Sequence, residues 1–262
     1  MSFPVFDLEG GEVSKVELPD TFSTPVNLRL IKRAFWLLHT HSLQKKGTDP
    51  FAGERTSAMS WNTGRGVARP ARVKGERTQR SGQAAGVGGV VKGRLAMPPK
   101  SEKVVRLGIN SKERRVAFLS ALGSVASRDF VVSRGHRVPD DRLVPIIADD
   151  SLEGVTKAVE LRKFFDKVGV LDDVRRTTGR KRRGGRSAWR GRAKRVGRGP
   201  LIVVADDKGI SRAAGSFPGV EVVKATDLSL LDLAPGGVPG RLCIFTNSAL
   251  TSLKERFSER GA

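Results

Sequence analysis

Leu201-Ile202-Val203-Val204-Ala205-Asp206-Asp207 is a short continuous apolar run stopped by two aspartates, and Leu143-Val144-Pro145-Ile146-Ile147-Ala148-Asp149-Asp150 repeats the pattern. Runs with no polar alternation suit strands that are buried on both faces, as in parallel sheets. Val220–Val223 and Leu242–Phe245 are further strand candidates, and helical patterns near Leu152–Lys167, Ile210–Ser216 and Ala249–Arg260 fill the gaps. Repeated strand–helix alternation predicts an α/β fold with a mostly parallel sheet covered on both sides. Working outward, Phe3–Leu8 and Val13–Leu18 flank Gly10-Gly11, which reads as an N-terminal hairpin. Ser23-Thr24-Pro25 is expected to open a helix whose apolar positions Leu28, Ile31, Ala34, Phe35 and Leu38 recur at helical spacing. Asn110 and Glu113 have capping-box spacing, with Asn in place of Ser or Thr, and the helix they open continues to about Ala126.

Charge divides the chain sharply. Of 262 residues, 48 are Lys or Arg and 27 are Asp or Glu, a net charge of +21. Residues 45–100 hold 12 bases and 3 acids, and residues 175–198 hold 12 bases and no acid, so these two segments carry the whole excess. The other 182 residues have 24 bases and 24 acids. A neutral domain (1–44 and 101–262) is therefore expected to carry a basic extended loop (45–100) and a basic Arg/Gly insertion (175–198). Nucleic acid is the partner such charge favours, because phosphate contacts release condensed counterions. A membrane surface is the rival. Against it, no stretch approaches about 18 consecutive apolar residues, and no lipidation motif or basic amphipathic helix appears.

The loop contains 10 Gly and Pro50, Pro70, Pro98 and Pro99, without sustained periodicity, yet embeds Phe51, Met59, Trp61 and Met97. A structureless stretch this long argues for function or disorder, and its aromatic content disfavours pure disorder. Folded back on itself, each arm would reach at most about 90 Å. Its candidate RNA-binding residues are Lys45, Lys46, Arg55, Trp61, Arg65, Arg69, Arg72, Lys74, Arg77, Arg80, Lys92, Arg94 and Lys100. Interleaved glycines let the backbone approach phosphates. In the second segment Arg180, Lys181, Arg182, Arg183, Arg186, Arg190, Arg192, Lys194 and Arg195 surround Trp189, one stacking face among guanidiniums. A localisation patch or a solvated tail is the plainer reading. Its position between two core elements argues against a tail.

Catalysis finds little support. The paired aspartates, Asp149-Asp150 and Asp206-Asp207, sit where ligands of open α/β sheets bind, and could hold Mg²⁺ in a nucleic-acid-processing enzyme. The simpler reading makes them N-caps of the following turns. Gly86-Val87-Gly88-Gly89 does not complete a dinucleotide fingerprint. His39, His41 and His136 lack partners at ligand spacing and read as surface or capping residues. Cys243, the single cysteine, reads as a small core residue and excludes an intrachain disulfide. No metal, cofactor or small-molecule substrate is expected. The opening MSFPVFDLEGGE lacks the regions of a signal peptide, so a cytoplasmic location is expected. A free architectural DNA-binding protein is a third reading.

Phe22-Ser23-Thr24-Pro25, Asp49-Pro50-Phe51-Ala52-Gly53-Glu54-Arg55-Thr56-Ser57-Ala58, Ser60-Trp61 and Gly64-Arg65-Gly66-Val67-Ala68-Arg69 together resemble the large-subunit ribosomal protein L-four family, in its archaeal and eukaryotic branch. Pro98-Pro99-Lys100, Asn110-Ser111-Lys112-Glu113-Arg114-Arg115, Leu233-Ala234-Pro235-Gly236-Gly237 and Gly240-Arg241-Leu242 continue the resemblance in order along nearly the whole chain. The resemblance implies a three-layer α/β/α sandwich whose long loop threads into ribosomal RNA toward the nascent-peptide exit tunnel. It also implies neighbouring large-subunit proteins as partners, a role in subunit assembly and no catalytic residues. Ending about one helix after the last strand, the chain is expected to be archaeal. Around Gly86–Arg94 it departs from the family pattern, since VGGVVKGR stands where basic residues more commonly follow the Gly pair.

Overall fold

The computed structural model describes residues 2–179 and 181–258. The chain divides into two compact units, Met1–His39 with Gly108–Ala262, and Thr40–Leu107. In the first unit the hairpin is β1 (Ser2–Phe6) and β2 (Glu12–Glu17), antiparallel, turned through Gly10 at φ +77°. Helix α1 (Leu28–His39) does not open at Ser23-Thr24-Pro25 as its motif predicts. Asp20–Ser23 instead forms a short 3-10 turn, and Asn27 Oδ1 accepts the Leu30 N–H at 3.1 Å. A carboxamide two residues past the proline does the capping, because Asn satisfies the orphan amides of a first turn that Pro25 cannot.

Helix α2 (Ser111–Ala126) starts as expected, with Asn110 Oδ1 accepting from Lys112 N at 3.1 Å. It is followed directly by α3 (Arg128–Ser133), β3 (Ile146–Ala148), and a 3-10 turn over Asp150–Gly154. The single helix expected over Leu152–Lys167 is thus two pieces, with α4 (Ala158–Val168) beginning only after the turn. Next come α5 (Leu171–Thr178), the short strands β4 (Lys181–Arg182) and β5 (Lys194–Arg195), and β6 (Leu201–Val204). The remainder is α6 (Ile210–Ala214), β7 (Glu221–Lys224), α7 (Leu230–Leu233), β8 (Cys243–Thr246) and α8 (Asn247–Ser258). The expected end of that last helix, Glu259-Arg260, lies outside the described residues.

The main sheet has the order β2-β1-β3-β8-β6-β7, parallel except for β2. Side-chain alternation splits each central strand between two cores. Val5, Ile147, Val203 and Phe245 pack with α1, α2, α7 and α8 on one face. Phe6, Ile146, Ala148, Ile202, Val204 and Ile244 pack with α4, α5 and α6 on the other. This is why the deciding runs show no polar alternation. The connections from β3 to β6 and from β6 to β7 run over the second face, and the return from β7 to β8 runs over the first, as one crossover hand requires.

The α1–α2 contact shows how closely backbone packs here. Ser120 Oγ accepts from Asn27 N at 2.6 Å and donates to Pro25 O at 3.1 Å. A β-carbon on Gly123 would collide with the Thr24 carbonyl. Gly123→Ala should therefore cost about 1–3 kcal/mol through overpacking, despite the better helix propensity of alanine. Urea unfolding measures this, and an unchanged midpoint would show that the Asp20–Thr24 turn does not seat on α2.

Candidate nucleic-acid interface

The unit Thr40–Leu107 extends beyond Lys45 and Lys100 at both ends and adds the exposed bases Lys103 and Arg106. Its two arms are tied by Thr48 N donating to Pro99 O at 3.1 Å and by Leu107 N donating to Thr40 Oγ1 at 3.0 Å. Asp49 organises a turn, accepting from Phe51 N and pairing with Arg55, and the Arg55 hydrogen bond holds its carboxyl below the usual range. Arg94 pairs with Glu54 at 3.4 Å.

Farther along, the backbone of Arg72 bridges Met59 on one side and Ala84 on the other, building a small antiparallel meander around one buried alanine, Ala85. The Arg72 guanidinium donates to Gly82 O at 2.8 Å and Ala68 O at 3.3 Å and lies 5.4 Å from the Trp61 ring centre. Arg65 approaches the same ring at 5.7 Å. Trp61, 38% exposed, thus has two guanidiniums within 6 Å of its ring centre. Sequence reasoning placed Arg72 among phosphate-binding residues, but its local role as organiser depends on non-sequential carbonyls. Arg80, half-buried, reaches Val91 O at 3.5 Å. Lys45, Lys46, Arg65, Arg69, Lys74, Arg77, Lys92 and Lys100 present exposed side chains, as do the ion-paired Arg55 and Arg94. Of the apolar residues expected to resist disorder, Phe51, Met59 and Met97 are exposed, Met97 at 95%. They stabilise no core within this unit.

The second basic segment is a hairpin rather than an irregular stretch. Lys181 pairs with Arg195 and Arg182 with Lys194, and Arg183 N donates to Ala193 O at 2.8 Å. Arg180 lies outside the described residues. Arg186, Arg190 and Arg192 are exposed around Trp189, which is 84% exposed on the irregular Ala188–Arg192 turn. Few tryptophans are left so open without a partner, since the ring is among the most costly to keep in water.

The base of this hairpin is fastened to the core. Asp173, 0% exposed, accepts from His136 Nδ1 at 2.9 Å, Arg137 N at 3.0 Å and Arg176 Nε at 2.9 Å. Arg176 Nη2 donates in turn to Arg198 O at 2.9 Å, joining the two arms where they leave the domain. His136, expected at the surface or at a cap, is buried. Its pairing with a carboxylate 37 residues away leaves no sequence-local trace. Burial alone would raise the Asp173 carboxyl, and the His136 and Arg176 hydrogen bonds more than reverse that, holding it below its ordinary value.

Three of the four strand-end aspartates accept from backbone amides and the fourth is paired with a lysine. Asp149 accepts from Ser151 N, Asp150 from Ser248 N at the start of α8, and Asp207 from Gly209 N and Ser211 N. Asp206 pairs with Lys224. β8 separates the two strands that carry them. Among the described residues no cluster of His, Cys, Asp and Glu is placed to hold a metal ion. Cys243 is fully buried, and burial pushes its thiol up to about 12, leaving it unreactive.

Residues 16–256 match the model of the Ribosomal protein L4/L1 family. The chain belongs to that family. The matched range includes both basic segments. The chain is 46% identical to the large ribosomal subunit protein uL4 of Methanopyrus kandleri, covering 99% of this chain and 100% of that protein. It is 44% identical to the uL4 of Sulfolobus acidocaldarius and 43% identical to that of Sulfurisphaera tokodaii, each over 98% of this chain and 95% of the relative. All three relatives are archaeal.

Asp173→Asn should cost roughly 3–5 kcal/mol at neutral pH, because it breaks a buried, multiply bonded carboxylate. The folded pKa lies below the unfolded one, so this stability is complete above the ordinary carboxyl range and is lost as pH falls through the folded value. The gap between wild type and variant in urea unfolding should hold from pH 7 to about 4 and shrink below that. A gap that persists undiminished in stronger acid would contradict the assignment.

Proposed function

We propose that the chain is a structural constituent of the large ribosomal subunit that binds ribosomal RNA through two basic segments, the Thr40–Leu107 unit and the Lys181–Arg195 hairpin. Family membership supports the subunit. The charge partition supports the choice of segments: all of the +21 excess lies in 45–100 and 175–198. In this reading the exposed loop bases and the cations around Trp189 contact phosphates, and little base-edge readout is needed. Arg72 holds Trp61 in place, and the exposed Phe51 and Met97 meet RNA or a neighbouring ribosomal protein rather than a core. The loop reaches toward the exit tunnel, and the protein works in the ribosome, in the cytoplasm, as a scaffold and assembly factor rather than an enzyme. No helix among the described residues is long and apolar enough to cross a membrane.

RNA affinity should fall steeply with salt, with a log–log slope of roughly −0.7 to −0.9 per phosphate contacted. A shallow dependence would count against phosphate-dominated binding. Replacing residues 45–100 by a short Gly-Ser link should leave a folded domain that fails to enter large subunits. Undiminished incorporation of that variant would remove the loop from the binding function.

A further inference from the structure

Arg241 is a large cation buried completely, at 0% exposure, just before β8. Its Nε donates to Gly199 O at 3.0 Å, and its Nη1 donates to Glu221 Oε2 at 2.8 Å and Asp232 O at 2.9 Å. Its Nη2 is buried and has no acceptor among the described residues. Arg134, just after α3, repeats the situation: Nη2 donates to Pro235 O at 2.8 Å, while Nη1 is buried without an acceptor. Asp232 and Pro235 lie three residues apart at the end of α7, so both guanidiniums lean on the same short stretch of backbone.

The neighbouring charges do not balance. Arg134, Arg176, Arg198 and Arg241 gather around Asp173, Glu221 and Asp232. The carboxylates are already engaged: Asp173 by His136 and Arg176, Glu221 by Arg198 and Arg241, and Asp232 by its Ser229 cap. Counting these four guanidiniums against the three carboxylates, one positive charge remains. A buried cationic N–H left unpaired is costly, and two facing one another's charge compound the cost. Burial, and then the Arg241 charge, press Arg134 down to about 10.

We propose that Arg134 Nη1 and Arg241 Nη2 together hold one small monatomic anion, of the halide class, at the N-terminal edge of the parallel strands. A monovalent anion cancels the single excess charge and accepts from both N–H groups. A tetrahedral oxyanion would bring more acceptor oxygens than two free donors satisfy, and a water would leave the charge unbalanced. Glu221 links the site to Arg198, so the anion also steadies the base of the basic hairpin.

The test uses the full-length chain crystallised from sodium bromide. Expected is an anomalous bromine peak within hydrogen-bonding distance of both Nη atoms; ordinary water density there without an anomalous signal overturns the proposal. In solution, the unfolding midpoint is compared in sodium chloride and sodium gluconate at equal ionic strength. Wild type should unfold several degrees higher in chloride. Arg134→Gln, a half-buried and structurally mild change, should lose that chloride-specific shift. An equal shift in both proteins reads as non-specific chloride binding to the cationic surface and refutes the site.

Discussion

Like charges cannot be packed together without counter-charge, and every part of this chain is arranged around that constraint. The sheet and its covering helices fold from residues whose acids and bases balance. The excess cations lie in residues 45–100 and 175–198, mostly on the Thr40–Leu107 unit and a two-strand hairpin, where exposure to solvent lowers their mutual repulsion. Once that separation is made, the central strands can be apolar on both faces.

Separation creates a second problem, because a charged hairpin must still be held in a definite place. The Asp173 network solves it with buried hydrogen bonds. One carboxylate takes three donors, and one of those donors, Arg176, bridges to the return arm. On the other side of the same edge, Glu221 joins Arg198 to the buried Arg241. The hairpin's outer residues are then free to be almost wholly cationic, with Trp189 held out among them. In the larger unit, Arg72 serves the same end at smaller scale, since its guanidinium ties Ala68 and Gly82 together under the Trp61 ring.

Which of these features could be read from the sequence depends on whether their cause is local. Leu201–Val204 and Cys243–Thr246 were legible because burial on both faces imposes an unbroken apolar run. Asp149 and Asp207 were legible as caps because an Asx side chain reaches its own following amides, whereas Asp150 accepts from the distant Ser248 amide and Asp206 pairs with Lys224. The start of α1 was misread because Pro25 is a good first-turn residue in general, whereas Asn27 caps the helix and is itself held by Ser120 of a distant helix. Helices α3, α5 and α7 were missed. The hairpin ladder was hidden by a run of Arg and Gly with no alternation, and the burial of His136 by its partner's distance in sequence. Charge bookkeeping located the two candidate segments; it could not separate Arg72, which is turned inward, from Arg69 and Lys74, which are exposed.

If a neutral folded domain presents two basic segments to RNA, ultraviolet crosslinking of the chain within assembled large subunits, followed by mapping of the modified peptides, should find RNA at those segments. RNA crosslinks should concentrate in residues 40–107 and 181–195, with Trp61 and Trp189 among the modified positions. Crosslinks spread evenly over the helices of the neutral domain, or gathered at the strand-end aspartates, would contradict it.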